Sequence, residues 1–345
     1  MTIKKKLPNQ DKFNAVNERM KYRYRKHLAR IGQRDEKTII ESIKNIRQFE
    51  AFISFKGFES FNEKLADSYI NFLTKAQKSY STIINALRYL KDFLNWLERQ
   101  KGYRSKLNYN HVEYLSLSRN QRRQAKASAY KKSYSFDQII ETIRKMPDKT
   151  EKDKRDRALI GLQALCTLRI SELRTVKIRN LINENGRWFI DANSRDMETK
   201  FAKSRIVYCL PLPDDILESV LAWRDILIKK GSRESDPFFP VIDNRFNTRN
   251  LLDQKTTFKP IKSNTTIREI FKKAFTGAGY EYLNPHSFRH TIARYAQTQS
   301  PAFLNAVRQN LGHSSIDTTL NSYGQLSSYE QGKALLSQEK GVICE

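Results

Sequence analysis

Four short stretches hold the side chains able to do chemistry. LGHSSIDTTLNSYG, Leu311 to Gly324, sets an imidazole, His313, ten residues before a phenol, Tyr323, among small polar residues. LNPHSFRHTIARYAQ carries His286, Arg289 and His290. There Asn284 can cap a helix and Pro285 suits its first position, so His286 and Arg289 share a face of the first turn. A helix start attracts anions through its free N–H groups and dipole. An imidazole and a guanidinium added there make an oxyanion-binding corner, although a capped surface helix reads the same way. In CTLRISELRTVK, Arg169 precedes Ile170, Leu173 and Val176. A guanidinium in such company needs an anion, either a bound phosphate or a carboxylate such as Glu172. Finally, TKFAKSR holds Lys200, Lys203 and Arg205.

A phenol with a pKa near ~10 is a weak nucleophile at neutral pH. It becomes competent toward a phosphate held by two arginines whose leaving oxygen receives a proton. Two arginines, a lysine, two histidines and a tyrosine therefore suit phosphoryl transfer through a phosphotyrosine. No carboxylates cluster at two-metal spacing, which fits a reaction with no metal and no cofactor.

The partner follows from charge. The 345 residues carry 63 Lys plus Arg against 37 Asp plus Glu, a net +26. Residues 1–134 hold 30 basic and 12 acidic side chains, so most of the excess is N-terminal. Such an imbalance repels itself unless a polyanion offsets it, and nucleic acid is the leading one, since each neutralised phosphate releases a counterion. No long apolar run or amphipathic membrane helix is present, and the basic start MTIKKKLPNQDKF has no apolar h-region after it, so neither a membrane nor secretion is expected. Cys166, Cys209 and Cys344 lack disulfide or zinc spacing, which fits a reducing cytoplasm.

Positioning these groups requires a scaffold. Ile39, Ile43, Ile46, Phe49 and Ile53 follow helical spacing, as do Ile83, Leu87, Leu90, Leu94 and Leu97, with LADSYINFLTKA a third helix between them after a turn near Gly57. Apolar periodicity then stops. SRNQRRQAKASAYKKS has no acidic residue and reads as an extended linker, lying along DNA or simply solvated, with Arg119, Arg122, Arg123, Lys126, Lys131 and Lys132 as candidate phosphate contacts. It ends at SFDQIIETI, where Ser135 and Gln138 have capping-box spacing. The part beyond is mostly helical with one β interruption. Trp188–Ile190 and Ile206–Leu210 predict an antiparallel hairpin or three-stranded edge, whose basic connection adds Lys203 and Arg205 to the DNA contacts. PAFLNAVRQNLGH predicts a helix stopped by Gly312.

Taken together, LRISEL, HSFRHT and LGHSSIDTTLNSY, with the hairpin lysine between the first two, resemble the boxes of the tyrosine recombinases, the phage-integrase family. The resemblance covers nearly the whole chain. It implies a mainly α protein with a basic extension (1–30), a helical core-binding domain (31–117), a linker (118–133) and a mostly helical catalytic domain (134–345) bearing a small antiparallel sheet and a tail (324–345). The two domains would form a C-shaped clamp on duplex DNA. Tyr323 would attack the scissile phosphate, leaving a 3′-phosphotyrosyl bond and a free 5′-hydroxyl. Arg169, Arg289 and His313 would hold the phosphate, His286 would orient it or move a proton, Lys200 would protonate the leaving oxygen with Lys203 as runner-up, and Glu172 would support the site. His290 is expected to pack, and Tyr329 lacks the preceding histidine. Thr167 stands where the family commonly has glycine, and the hairpin lacks another. The expected partners are paired DNA recombination sites, three further copies in a tetramer, and accessory bending or directionality factors. The tail would dock in cis or on a neighbour. A type IB topoisomerase, a telomere-resolving enzyme or an inactive DNA-binding relative are the competing readings.

Overall fold

The computed structural model describes residues 13–126, 132–246 and 252–313. The chain divides into two compact units, Met1–Ala129 and Tyr130–Glu345.

The first unit is helical: α1 (Ala15–Arg30), α2 (Glu36–Phe52), α3 (Glu63–Lys75), α4 (Tyr80–Leu97) and α5 (Arg119–Lys126). Side-chain oxygens start the middle three, with Asp35, Asn62 and Ser79 accepting from the N–H groups of Thr38, Leu65 and Thr82. The two isoleucine- and leucine-rich stripes face each other. Ile46, Phe49, Leu90, Phe93 and Leu94 have no exposed surface. Met20 and Tyr24 of α1 lie in the same core, so the helix within the basic N-terminal segment belongs to this unit's packing. Lys21 is buried there with Glu50 and also bonds Glu18 at 2.7 Å.

The stretch expected to be an extended linker is instead helical over Arg119–Lys126. Its cause is local: Gln121 Oε1 accepts from the Ser118 N–H at 3.0 Å and Ser118 Oγ from the Gln121 N–H at 3.3 Å, a reciprocal cap that needs no apolar periodicity.

The second unit opens on the Ser135/Gln138 capping box of α6 (Phe136–Lys145). Then come α7 (Glu151–Cys166), buried all round from Ala158, α8 (Ile170–Thr175), and strands β1 (Leu181–Glu184), β2 (Arg187–Ala192) and β3 (Arg205–Tyr208). These form an antiparallel sheet in that order, with Leu181 opposite Ile190 and Ile190 opposite Val207. Asn185 and Gly186, both at positive φ (51° and 79°), make the two-residue turn. After α9 (Asp214–Lys229) comes a second antiparallel ribbon, β4 (Pro240–Phe246) with β5 (Leu252–Pro260), so the expectation of one β interruption is corrected to two. Helices α10 (Asn264–Gly277), α11 (Ser287–Gln297) and α12 (Pro301–Leu311) complete it. Among the described residues, no helix is long and apolar enough to cross a membrane.

Candidate active site

The site is assembled from the ends of elements. Helix α7 stops because Thr167 turns left-handed (φ 44°, ψ 41°), its N–H bonding back to the Gln163 carbonyl at 2.8 Å. A non-glycine residue there costs about 1–2 kcal/mol. The turn delivers Arg169 to the start of α8. Its backbone N–H donates to Glu172 Oε2 at 2.8 Å, and its Nη1 to Oε1 at 3.0 Å.

Glu172 has no exposed surface, and a second guanidinium reaches it. Arg205, the first residue of β3, donates Nη1 to Oε1 and Nη2 to Oε2, both at 2.8 Å. Burial pushes the Glu172 carboxyl up, but the hydrogen bonds and charge of Arg205, then of Arg169, outweigh it and hold the pKa below the usual range. The third corner of Arg205, Nε, donates to the Asn310 carbonyl at 3.1 Å. Asn310 is itself tied to β3 by two bonds with the Tyr208 backbone, at 2.9 and 2.8 Å. Arg205 passes so close to Gly312 that a Cβ there would lie 2.9 Å from Arg205 Cδ, and Gly312 is left-handed (φ 65°). Both the approach and the conformation require glycine.

Arg205, expected among the DNA contacts, has its guanidinium engaged by a buried carboxylate and a carbonyl. The sequence held a usable signal. In β3, Ile206 and Tyr208 are exposed and Val207 is buried, so the two-residue period places Arg205 on the inward face.

Arg289, on α11, is fully buried. Its Nη1 donates to the Thr167 carbonyl at 2.7 Å and its Nη2 to the Leu311 carbonyl at 2.5 Å. Arg169 Nη2 points to the same Leu311 oxygen at 3.3 Å and to the Gly312 oxygen at 3.4 Å. Two guanidiniums thus converge on one oxygen beside His313. That imidazole lies 3.1 Å from Arg289 through Nε2. Burial, then the charges of Arg289, Arg169, His286 and Arg205, push its pKa down to about 3, so it is neutral. With Nε2 facing a donor, its proton is assigned to Nδ1. Three guanidiniums against one carboxylate leave a local excess of two positive charges, an environment suited to an oxyanion.

Asn284 does not cap α11 as expected: its Oδ1 accepts from the His286 N–H at 2.7 Å in a turn before the helix, and α11 starts at Ser287 with His286, not Asn284, in the cap position. His286 is exposed at the helix start while Arg289 points inward. His290 is buried, its ring 5.7 Å from that of His286.

Lys200 and Lys203 are exposed on the connection between β2 and β3, Lys200 opening a single 3-10 turn. Sequence reasoning missed what anchors that connection. Half-buried Asp196 binds Arg179, Lys177 Nζ at 2.9 Å and Asn193, and these partners hold its carboxyl far below the usual range. Glu198 is tied to α8, its N–H donating to Thr175 Oγ1 at 2.9 Å and its carbonyl accepting from Ser171 Oγ at 3.2 Å. Of the other basic candidates, Arg119, Arg122 and Arg123 are exposed, Lys126 ends α5, and Lys132 pairs with Glu281 at 2.7 Å. Lys131, Tyr323, Tyr329 and the tail lie outside the described residues.

Residues 135–330, more than half of the chain, match the model of the phage integrase family. Tyrosine recombinase XerC of Lactobacillus delbrueckii subsp. bulgaricus is 25% identical over 267 residues, 77% of this chain and 79% of XerC. The structure of a lambda integrase (75–356) dimer bound to a COC′ core site aligns with a TM-score of 0.61 at 19% identity, covering 94% of this chain and 99% of that one. A lambda integrase tetramer bound to a Holliday junction gives 0.61 at 18%, over 90% and 79%. At those identities the likeness to the solved structures is one of fold.

Proposed function

The chain belongs to the phage integrase family, and from that membership we propose that it is a site-specific DNA recombinase that cuts and rejoins strands through a 3′-phosphotyrosyl bond to Tyr323. The observation that carries the assignment of roles is the convergence of Arg169 and Arg289 on the Leu311 oxygen, at 3.3 and 2.5 Å, beside neutral His313. A scissile phosphate brought to that corner offers charged non-bridging oxygens in exchange for a neutral carbonyl, and charge building on them in the transition state strengthens both contacts. Losing one such donor typically costs ~10²–10³ in rate.

His313 adds a hydrogen bond from Nδ1 without adding charge. Lys200 protonates the departing 5′-oxygen, with Lys203 the alternative on the same exposed connection. His286 orients the phosphate or relays the tyrosine's proton. Glu172, clamped by Arg205, fixes the reach of Arg169. Because the phosphotyrosyl bond conserves the energy of the phosphodiester, a 5′-hydroxyl from a partner strand reverses the reaction and completes exchange. Exchange between two duplexes needs four nucleophiles, so four copies on two sites are the assembly proposed; the lambda integrase tetramer on a Holliday junction supports it. Exposed Arg119, Arg122, Arg123 and Lys203 serve as phosphate contacts.

The test incubates the protein with duplex DNA flanking its own gene, denatures the mixture and asks for DNA attached covalently. Attachment in wild type and none in Tyr323→Phe is expected. Attachment in both moves the nucleophile, with Tyr329 next. Tight binding with no attachment in either refutes the cutting reaction on that DNA.

A further inference from the structure

We propose that Cys166 and Cys209 form a reversible disulfide that disables the site under oxidising conditions. The two sulfurs stand 3.5 Å apart, across 43 residues of sequence. Their neighbours are already joined, the Leu210 N–H donating to the Leu165 carbonyl at 2.8 Å, and the Cys209 N–H is held by the Trp188 carbonyl at 2.9 Å. Closing a disulfide to about 2.05 Å therefore draws the sulfurs, and the two segments that carry them, together by roughly 1.5 Å without breaking their pairing.

Exposure sets the order of events. Cys166, the last residue of α7, is buried, whereas Cys209, just after β3, is half-exposed. The neighbouring Cys209 thiol and burial both push the Cys166 thiol up, so it stays protonated and does not start the reaction. A hydroperoxide reaches Cys209 first. Its O–O bond breaks, the hydroxyl passes to sulfur as a sulfenic acid, and an alcohol or water leaves. Cys166 then attacks the Cys209 sulfur. The S–S bond forms, the S–O bond breaks, and water departs with the Cys166 proton. Two thiols have lost two protons and two electrons to the peroxide, and a dithiol returns them.

The consequence follows from what lies on either side. Thr167, adjacent to Cys166, supplies the carbonyl that holds Arg289 at 2.7 Å. Arg205, on the strand leading to Cys209, clamps Glu172. Drawing these segments together displaces both arginine supports at once, and a misplacement of about 1 Å can cost ~10²-fold in rate. This loss rests on the proposed function; the disulfide does not. Transient disulfides of this kind are the usual sort in a reducing compartment.

The experiment uses the full chain carrying Cys344→Ser, so that the third thiol cannot compete. Hydrogen peroxide is added, remaining thiols are alkylated, and peptides are weighed. In parallel, covalent attachment to the gene-flanking duplex is measured. A peptide linking residues 166 and 209 is expected, with attachment falling on the order of 10²-fold, recovering with dithiothreitol and insensitive to peroxide in both Cys209→Ser and Cys209→Ala. Cys209 driven to sulfinic acid while Cys166 remains alkylatable overturns the disulfide. A linked peptide with unchanged attachment overturns the switch. If reduced protein attaches no DNA at all, the recombinase reading has failed, and the peptide result still decides the disulfide.

Discussion

Replacing Arg205 with methionine separates a buried clamp from a DNA contact. The substitution keeps an apolar stem but removes three hydrogen bonds, two to Glu172 at 2.8 Å and one to the Asn310 carbonyl at 3.1 Å. Glu172 is then left buried with Arg169 as its remaining cation. The pair is poorly screened, at 12% exposure for Arg205 and none for Glu172, so the cost is that of breaking a buried ion pair, about 3–5 kcal/mol. For a unit of this size that lowers the melting temperature by about 6–20 °C. The sign of the pH effect also follows. In the wild type the depressed Glu172 pKa contributes stability that is complete above its unfolded value of about 4.3 and fades as pH falls through the lower folded value. Without Arg205 the main influences opposing burial are gone and the depression shrinks, so the gap between the two proteins narrows in acid. Binding to one duplex, titrated with salt, supplies the discriminating readout. Arg205 on a phosphate would make the log–log slope shallower by about 1 when removed. The clamp predicts an unchanged slope with a large loss of stability. A variant as stable as wild type whose slope drops by about one refutes the reasoning.

Gly312→Ala should destabilise by about 1–2 kcal/mol from its left-handed backbone alone, and further by pushing against Arg205 Cδ at 2.9 Å. In the Arg205→Met background the second part disappears, so strict additivity of the two melting shifts counts against the contact. His313, with its pKa near 3, should show no imidazole titration between about pH 5 and 8 by NMR, and a midpoint near 6.5 sinks the buried neutral assignment. Since the unfolded imidazole takes a proton near ~6.5, this group alone should erode stability by about 1.4 kcal/mol per pH unit as pH falls from there toward the folded value. Binding to DNA should weaken steeply with salt, by about 0.9 of a log unit per log unit for each phosphate neutralised; a flat response excludes phosphate-dominated binding.

The parts of the fold that sequence revealed are those encoded within one turn or one strand. The Ser135/Gln138 cap, the stop at Gly312 and the stripe Ile83–Leu87–Leu90–Leu94–Leu97 are local statements, and each appears where spacing put it. The β4–β5 ribbon was invisible because DNRFNTRNLLDQKTT has no apolar alternation to betray strands. Helix α5 was hidden for the converse reason, since its evidence was a polar cap and no stripe. At the site, the residue types of Arg169, His286, Arg289 and His313 carried the reading, and of their partners the local one, Glu172 for Arg169, was legible while the distant ones were not. Nothing near Arg205 in sequence announces that its carboxylate is Glu172, 33 residues away, because ion pairing is decided by tertiary approach.

The contacts that hold the arginines have long spans. Arg169 meets Leu311 across 142 residues, Arg289 meets Thr167 across 122, and Arg205 meets Asn310 across 105. Each helix end can form early, but the corner they build waits for the last of them. At a synthesis rate of about 5–20 residues per second, roughly 7–28 s separate the emergence of Arg169 from that of Leu311. Throughout that interval a chain still on the ribosome has its basic first unit complete and its arginines unplaced. A message cut short before α12 therefore yields the basic first unit without the assembled arginine corner.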